Sequence, residues 1–316
     1  MTDTAAPTGP RTVHDHLVLG SAPDSWGVWF PDDTLQIPWS RFLDELADSG
    51  YGWLELGPYG YLPTDPARLA DEVGHRGLRV SGGTVFGDLH NAHNREETFA
   101  TARTVAALTA AVGANHLVFI PPMYRDQRTG EYTESPTLDA DQWRHLTRTA
   151  DELGRILIDE YDVRLCLHSH ADTHVRTQGE IERFLDATDP DLVSLCLDTG
   201  HVAYGGGDAV DLIRRYRERV GYVHIKQMDP EVLRQVDTEG LSFGEAVRRG
   251  VCVEPPAGVP SPASVVDALV EVDARVFVIV EQDLYPCDFD VPRPIAERTR
   301  RYLNGCGLGA RHQRLP

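Results

Sequence analysis

The stretch that decides the fold is residues 194–201, S-L-C-L-D-T-G-H, where a short apolar run ends in an aspartate, a glycine and a histidine. An apolar run of this length, followed closely by glycine, is typical of a buried β-strand, because a helix needs ten or more residues. Asp198 then lies at the carboxyl end of the strand. Two interpretations stay open: Asp198 caps the next turn beside a loop histidine, His201, or both residues serve a functional site.

The same pattern recurs in three other places along the chain. Residues 163–170 read V-R-L-C-L-H-S-H, residues 221–226 read G-Y-V-H-I-K, and residues 276–283 read V-F-V-I-V-E-Q-D. Four apolar runs therefore end in the polar residues His168, Asp198, His224 and Glu281.

Eight such runs alternate with amphipathic helical segments over the 316 residues, beginning at Leu17, Trp53, Leu78, His116, Val163, Ser194, Gly221 and Val276. Regular β/α alternation favours a single (β/α)8 TIM barrel. The rival, an open doubly wound sheet, is disfavoured because no G-x-G-x-x-G follows the first strand. Residues 227–259 are predicted to be an insertion between strands seven and eight, with a short helix and an irregular loop. Residues 1–16 are predicted to be a flexible tail and residues 17–316 the catalytic domain.

Composition excludes several classes of protein. A formal charge of -19 argues against binding to a nucleic-acid backbone, and the sequence has no apolar run long enough to span a membrane. The five cysteines are unevenly spaced, and Cys166 and Cys196 lie inside apolar runs, so we expect a soluble protein of the reducing cytoplasm. Of the thirty basic residues, Lys226 is the only lysine. A lysine at a strand end is a candidate functional residue, since arginine does not replace a compact charge.

In a barrel, the carboxyl ends of all strands meet at one mouth. His168, Asp198, His224 and Glu281 would then lie on four neighbouring strands and could share one ion, although each could also be an ordinary polar residue of the rim. Mixed imidazole and carboxylate ligands suit transition metals, so Mn²⁺ is the first expectation and Co²⁺ the second.

Further candidate residues surround that quartet. His170 shares a strand face with His168 and could be a second ligand or a general base. Lys226 could neutralise a developing oxyanion, His201 could bind a substrate hydroxyl, and Glu55 could be an acid/base partner or a rim carboxylate. A divalent ion beside such groups favours removal of a proton next to a carbonyl. The resulting enediolate can be reprotonated or can expel a β-substituent.

Several motifs together carry a resemblance to a known family. They are A-P-x-x-W at residues 22–26, H-x-H at 168–170, D-T-G-H with G-G-D at 198–208, H-I-K at 224–226, S-F-x-x-A-V-x-x-G at 242–250 and E-Q-D at 281–283. Over residues 17–304 the chain resembles the xylose isomerase-like TIM barrels, the sugar phosphate isomerase/epimerase superfamily, and among them the inosose dehydratases.

The resemblance implies a divalent metal held at strands five to eight, with His168 where the wider superfamily has glutamate, which leaves His168 and His170 as alternative ligands. Trp26 of the first motif is a further candidate substrate contact, and Glu281 is both a candidate ligand and a candidate catalytic group.

The function expected from the residues and the resemblance is a metal-dependent lyase. Such an enzyme enolises a cyclic polyhydroxy ketone, an inosose or keto-sugar, and eliminates a β-substituent. The alternatives are a 3-oxo-glycoside deglycosidase acting by the same chemistry, a ketose epimerase or isomerase, and a metal-free carbohydrate-binding barrel. We expect a homo-oligomer, with a small partner subunit as a possibility implied by related barrels, and neither nucleic acid nor a membrane as a partner.

Overall fold

A closed barrel of parallel strands runs from β1 to β8, with β1 hydrogen-bonded to β8, in the computed structural model, which describes residues 14–309 and residue 315. This confirms the predicted (β/α)8 barrel. The strands are β1 Leu17–Ser21, β2 Trp53–Glu55, β3 Arg79–Phe86, β4 His116–Ile120, β5 Arg164–His168, β6 Val193–Asp198, β7 Val220–Ile225 and β8 Val276–Val280.

Helices cover the outside of the barrel. The α-helices are α1 Trp39–Asp48, α2 Pro66–Gly74, α3 Arg95–Ala111, α4 Ala140–Tyr161, α5 Gln178–Asp186, α6 Thr199–Tyr204, α7 Ala209–Arg215, α8 Pro230–Glu239, α9 Phe243–Arg248, α10 Pro262–Glu271 and α11 Pro292–Gly305, and two short 3₁₀ helices span Pro23–Trp26 and Ala92–Asn94. Capping boxes define the starts of α4, α5 and α9, where the side chains of Asp139, Thr177 and Ser242 each accept a backbone hydrogen bond.

The strands alternate between two hydrophobic layers. In β6, Leu195 and Leu197 point outward and pack under the helices, whereas Cys196 points into the barrel among Tyr222, Phe277 and other inner side chains. Because side chains alternate with a period of two, Asp198 continues the inner face beyond Cys196. The same register carries His168, His224 and Glu281 inward, above an apolar floor.

The insertion after β7 contains more helix than the sequence analysis predicts. Besides the expected short helix, α9, a ten-residue helix α8 starts at Pro230 with Asp229 as its N-cap and ends at Gly240, which has a positive φ of 67°. Helices α8 and α9 pack on a separate apolar cluster that includes Met228, Phe243 and Val251.

Helix α6 is a second unexpected element, since the sequence predicts no helix directly after Asp198, only that His201 lies in a turn. It begins directly after β6, and a Cβ at Gly200 would lie 2.6 Å from Cγ of Lys226, so the close approach of this helix to β7 requires glycine.

The predicted N-terminal tail, residues 1–16, lies outside the described residues except for 14–16. Among the described residues, no helix is both long enough and apolar enough to cross a membrane.

Candidate metal centre and active site

Four side chains from β5 to β8 converge at the mouth of the barrel. His168 Nε2 lies 3.1 Å from His224 Nδ1 and 3.5 Å from Asp198 Oδ2. His224 Nδ1 also lies 3.8 Å from Asp198 Oδ2 and 3.0 Å from Glu281 Oε2. One donor atom from each residue therefore falls within 4.8 Å of the other three, so the structure brings the predicted quartet together.

The two interpretations of Asp198 turn out to be compatible, because a carboxylate has two oxygens. Asp198 Oδ1 accepts a 2.8 Å hydrogen bond from the backbone N–H of His201 and so caps α6. Asp198 Oδ2 is buried and faces the other three residues of the quartet, with the ammonium group of Lys226 3.2 Å away. One aspartate thus ends a strand, starts a helix and points its second oxygen into the site.

The orientation of His224 is set by a carboxylate on the opposite side of the barrel. His224 Nε2 lies 2.8 Å from Glu55 Oε2, and Glu55 Oε1 accepts a 2.5 Å hydrogen bond from Thr84. Burial disfavours the charge on His224, but Glu281 and Glu55 raise its pKa well above the usual value, so without an ion both ring nitrogens carry a hydrogen. An ion would displace the proton on Nδ1, and the hydrogen bond from Nε2 to Glu55 would then give the usual arrangement of a metal-binding histidine. Glu55 therefore contacts the quartet by its hydrogen bond with His224.

The ammonium group of Lys226 lies among three carboxylates of the site. Its Nζ is 3.2 Å from Asp198 Oδ2, 3.0 Å from Glu281 Oε2 and 2.7 Å from Asp283 Oδ2. Burial disfavours the charge on Lys226, but these carboxylates outweigh it and raise its pKa well above the usual value. Burial likewise opposes ionisation of Glu281, yet attraction to His224 and Lys226 lowers its pKa to about 2. Lys226 and Glu281 are both charged at neutral pH.

The other two predicted histidines are buried close by. His170 Nδ1 lies 2.7 Å from the carbonyl oxygen of Ala171, which can only accept, so Nδ1 carries the hydrogen and Nε2 the lone pair. Burial, with repulsion from His168 and Lys226, lowers the pKa of His170 to about 3. His201 accepts from the backbone N–H of Ala171 at Nδ1, and its Nε2 lies 3.1 Å from Lys226 Nζ.

A cavity of about 470 Å³ opens above these groups. Its polar lining includes Glu55, His168, His170, Lys226 and Glu281. Its apolar lining includes Val28, Trp29, Phe30, Tyr59, Phe86 and Met123.

Trp26 and His201 are not among the residues that line this cavity. The indole of Trp26 is buried behind the barrel wall, where Nε1 donates a 3.0 Å hydrogen bond to Glu45 and the ring packs on Phe42. Trp29, three residues further on, lies at the cavity instead, and its Nε1 donates a 2.9 Å hydrogen bond to Asp283.

Two acidic groups at this site have no assigned role in the sequence analysis, although both fall inside motifs that it quotes. Asp283, the last residue of E-Q-D, pairs with Lys226. Asp24, in A-P-D-S-W, lines the cavity with both carboxyl oxygens buried and without a hydrogen-bond partner in the described part of the chain. Burial and repulsion from Glu281 and Asp283 raise the pKa of Asp24 well above its usual value. The aspartate at the first variable position of A-P-x-x-W is the sequence signal that could have identified Asp24 as a site residue.

The quartet fits a divalent cation. Ligands about 2.1 Å from a common centre lie about 3.0 to 3.4 Å apart in octahedral or tetrahedral arrangements, close to the separations of 3.0 to 3.8 Å seen here. The carboxylates of Asp198, Glu281 and Asp283 surround the single ammonium group of Lys226, and Glu55 contacts His224. Uncompensated buried negative charge is costly, so this donor set favours binding of a cation.

Comparison with known proteins places the chain in a family. A family described as xylose isomerase-like TIM barrel matches residues 36–302. The chain belongs to the xylose isomerase-like TIM barrel family. This confirms the resemblance inferred from the motifs.

Individual known proteins resemble the chain over most of its length. The inosose dehydratase of Geobacillus kaustophilus (strain HTA426) is 31% identical over 301 residues, covering 90% of this chain and 93% of the relative. A crystal structure of IOLI protein with a bound zinc atom superposes with a TM-score of 0.67 at 15% identity, covering 92% of this chain and 98% of that one. A D-psicose 3-epimerase from Clostridium cellulolyticum H10, with D-tagatose, has a TM-score of 0.71 at 14% identity, covering 93% of this chain and 100% of that one. The two solved structures resemble this chain in fold, and the inosose dehydratase resembles it in sequence.

Proposed function

We propose that this protein is a metal-dependent lyase that enolises a cyclic polyhydroxy ketone and eliminates a β-substituent. The similarity to a protein named inosose dehydratase supports loss of water from an inosose. One observation carries the proposal: four donor atoms of His168, Asp198, His224 and Glu281 converge within 4.8 Å beside the ammonium group of Lys226. A keto-sugar bound in the cavity would present its oxygens to these groups.

His168, Asp198, His224 and Glu281 would hold the ion, with Mn²⁺ as our first choice and Co²⁺ as the second. A divalent cation bound there supplies a Lewis acid that stabilises negative charge on a carbonyl oxygen. Glu55 holds the ring of His224 in the tautomer that ligation needs, and Asp198 is held by its hydrogen bond to the start of α6. Both contacts keep the donor atoms oriented before substrate arrives.

The remaining groups would move the protons. His170 has the Nε2 lone pair and lines the cavity, which suits a base that removes the proton from the carbon next to the carbonyl. Lys226 would donate a hydrogen bond to the oxygen on which negative charge develops. As the carbon–oxygen bond to the leaving group breaks, Asp24, whose raised pKa favours its protonated form, would give a proton to that oxygen, so that the hydroxyl group leaves as water. The proton held by His170 would then restore Asp24, and Glu281, which is charged at neutral pH, would act as a ligand.

The contacts of a substrate divide between two sets of residues. Glu55 lies on the cavity wall and can accept a hydrogen bond from a substrate hydroxyl. His201 would act through Lys226, which it contacts, and Trp26 through the packing of the first loop, since neither reaches the cavity. We expect the protein to work in the cytoplasm as a homo-oligomer, with or without a small partner subunit.

Incubation of purified protein with Mn²⁺ and scyllo-inosose, followed by NMR in D₂O, tests the proposal. We expect an elimination product with the wild type and none with Asp198→Asn, whereas the exposed substitution His93→Gln should leave turnover unchanged. Deuterium exchange without elimination would contradict the lyase and would favour an epimerase.

A second candidate function is suggested by the apolar lining of the cavity. An inosose has hydroxyl groups around its ring edge and only two small C–H faces, whereas Trp29, Phe30, Tyr59, Phe86 and Met123 give the cavity a large apolar lining. The volume of about 470 Å³ lies in the range of about 300 to 1,000 Å³ that suits drug-sized ligands. A 3-oxo-glycoside with an aromatic aglycone would use both the polar and the apolar lining, and its aglycone would leave by the same elimination.

A parallel incubation with an aromatic 3-oxo-glucoside distinguishes the two substrates. Release of the aglycone with a kcat/KM above that for scyllo-inosose would favour the deglycosidase, and the opposite ranking would favour the dehydratase.

A further inference from the structure

A second group of ligand-type side chains lies in the loops after β3, β4 and β5. His90, Glu134 and His174, here called the loop cluster, each place one donor atom within 4.8 Å of the other two. His90 Nε2 is 3.0 Å from Glu134 Oε2, and the rings of His90 and His174 are 4.7 Å apart between centroids. No residue of the loop cluster belongs to the quartet or takes part in the proposed reaction.

Both histidines are buried and held by hydrogen bonds on the side away from the cluster. His90 Nδ1 lies 3.0 Å from Asp88 Oδ1, and His174 Nε2 lies 2.8 Å from the backbone carbonyl oxygen of Ser135. These oxygens accept, so His90 carries a hydrogen on Nδ1 and His174 on Nε2. A carboxylate or a carbonyl behind a histidine is the usual outer partner of a metal-bound imidazole.

The second ring nitrogen of each histidine, His90 Nε2 and His174 Nδ1, points into the loop cluster. His90 Nε2 faces the carboxylate of Glu134, and His174 Nδ1 is a buried lone pair with no hydrogen-bond partner in the described part of the chain. A buried acceptor without a partner is costly.

Hydrogen bonds without a bound ion account for only part of the arrangement of the loop cluster. A protonated His90 between Asp88 and Glu134 would satisfy both carboxylates without any ion. It would leave His174 Nδ1 unsatisfied, because that atom can only accept. A cation among the three donor atoms satisfies all of them.

We propose that His90 Nε2, Glu134 Oε2 and His174 Nδ1 bind a second divalent cation, separate from the quartet. Two imidazole nitrogens and one carboxylate oxygen, with a fourth position left for water, are one of the ligand sets in which proteins hold Zn²⁺. The ion would join three loops at the rim of the barrel, those that follow β3, β4 and β5. Its role is structural, because the loop cluster is absent from the residues that line the cavity.

The number of zinc ions bound by the full, untagged chain tests the proposal. After dialysis against Zn²⁺ and removal of free metal, elemental analysis should find about two ions per chain for the wild type and about one for His174→Gln. His93→Gln is the matched control, because this histidine lies three residues from His90 on the exposed surface, and it should still bind two.

The Asp198→Asn variant tests the loop cluster independently of the quartet, and therefore independently of the proposed function. This variant should bind one ion, and that ion should raise its thermal unfolding temperature. In the Asp198→Asn background, Co²⁺ should give the intense visible absorption of a four-coordinate site, and Glu134→Gln should weaken it.

Equal zinc content in the wild type and His174→Gln, both folded by circular dichroism, would overturn the proposal. So would an Asp198→Asn protein that binds no ion and shows no Co²⁺ absorption. If His174→Gln does not fold, Glu134→Gln, at the partly exposed ligand, gives the same comparison.

Discussion

The two halves of the barrel mouth differ sharply in chemistry. The strands β5 to β8 carry the polar half, with His168, Asp198, His224 and Glu281 inward and Lys226 among them. The loops and strand ends from β1 to β4 carry the apolar half, with Trp29, Phe30, Tyr59, Phe86 and Met123. One half is suited to bond making and breaking, and the other to recognising a molecular surface. Substitutions in each half should therefore affect different measurements.

The largest effect is expected from Asp198→Asn in the polar half. The amide oxygen can still accept the hydrogen bond from His201 and cap α6, but an NH₂ group replaces the oxygen that faces the quartet. Loss of several kcal/mol of charge stabilisation corresponds to a fall in kcat/KM of about 10³-fold. Steady-state kinetics with Mn²⁺ would measure it.

Asp208→Asn is the matched control, because Asp208 caps α7 in the same way at the surface. If both variants lose activity equally, the cap and not the quartet explains the loss.

Lys226→Met is expected to have the next largest effect, on stability. Without the ammonium group, the carboxylates of Asp198, Glu281 and Asp283 are left buried and repel one another. Breaking a buried ion pair costs about 3–5 kcal/mol, so the free energy of unfolding in EDTA should fall by that amount.

Saturating Mn²⁺ should restore part of the stability of Lys226→Met, because a bound cation neutralises the same carboxylates. Equal losses with and without Mn²⁺ would argue that these carboxylates do not hold a cation. Urea unfolding of both proteins supplies the numbers.

A smaller and more selective effect is expected from Phe86→Ala in the apolar half. Phe86 is 44% exposed, so its truncation removes only part of the roughly 1.5–3 kcal/mol of a buried aromatic contact. We expect KM for an aromatic 3-oxo-glucoside to rise about tenfold and turnover of scyllo-inosose to stay within twofold. Val291→Ala, an exposed apolar residue outside the cavity lining, is the control. A parallel loss with both substrates would contradict the division between the halves.

Like Glu55 at the end of β2, Asp24 on the β1 loop is an acidic group in the otherwise apolar half. Its raised pKa means that the folded protein keeps the proton to a higher pH than the unfolded chain does. The free energy of unfolding therefore falls as the pH rises from about 4, the unfolded value, through the raised folded value. Asp24→Asn removes this loss and should stabilise the metal-free protein above that window, by about 1.4 kcal/mol for each unit of pKa difference.

Urea unfolding in EDTA between pH 4 and pH 8 measures this difference for Asp24→Asn. Asp32→Asn, at an exposed position of the same loop, should show no such trend. A stability gain that is the same at every pH would rule out titration of Asp24 as its cause.

The barrel and the quartet could be predicted from the sequence because each rests on a local regularity. Inner and outer residues alternate along β5 to β8, so the polar residue that ends each run at an inner position faces the axis. The missed helix α8 also had local signals, Asp229 and Pro230 at its start and Gly240 after its end, but the prolines later in the insertion favoured an irregular loop.

The remaining features depend on contacts between distant segments. Nothing local distinguishes Trp26, which packs behind the wall, from Trp29, which lines the cavity, because the 3₁₀ helix that ends at Trp26 and the left-handed Gly27 after it decide their directions. The loop cluster joins residues 44 and 40 positions apart, in segments with no shared periodicity. The unpartnered carboxyl of Asp24 likewise becomes visible only when Glu281 and Asp283 are brought next to it.

Because the chain has a single lysine, Lys226, proteolysis at this residue can report whether the barrel is intact. A protease that cuts only after lysine has one target bond, between Lys226 and Gln227, and these side chains are 3% and 2% exposed at the end of β7. Cleavage requires the strand end to leave the barrel, and it yields just two pieces, of 226 and 90 residues. The rate at which these two bands appear on a gel would therefore report how often the mouth of the barrel opens.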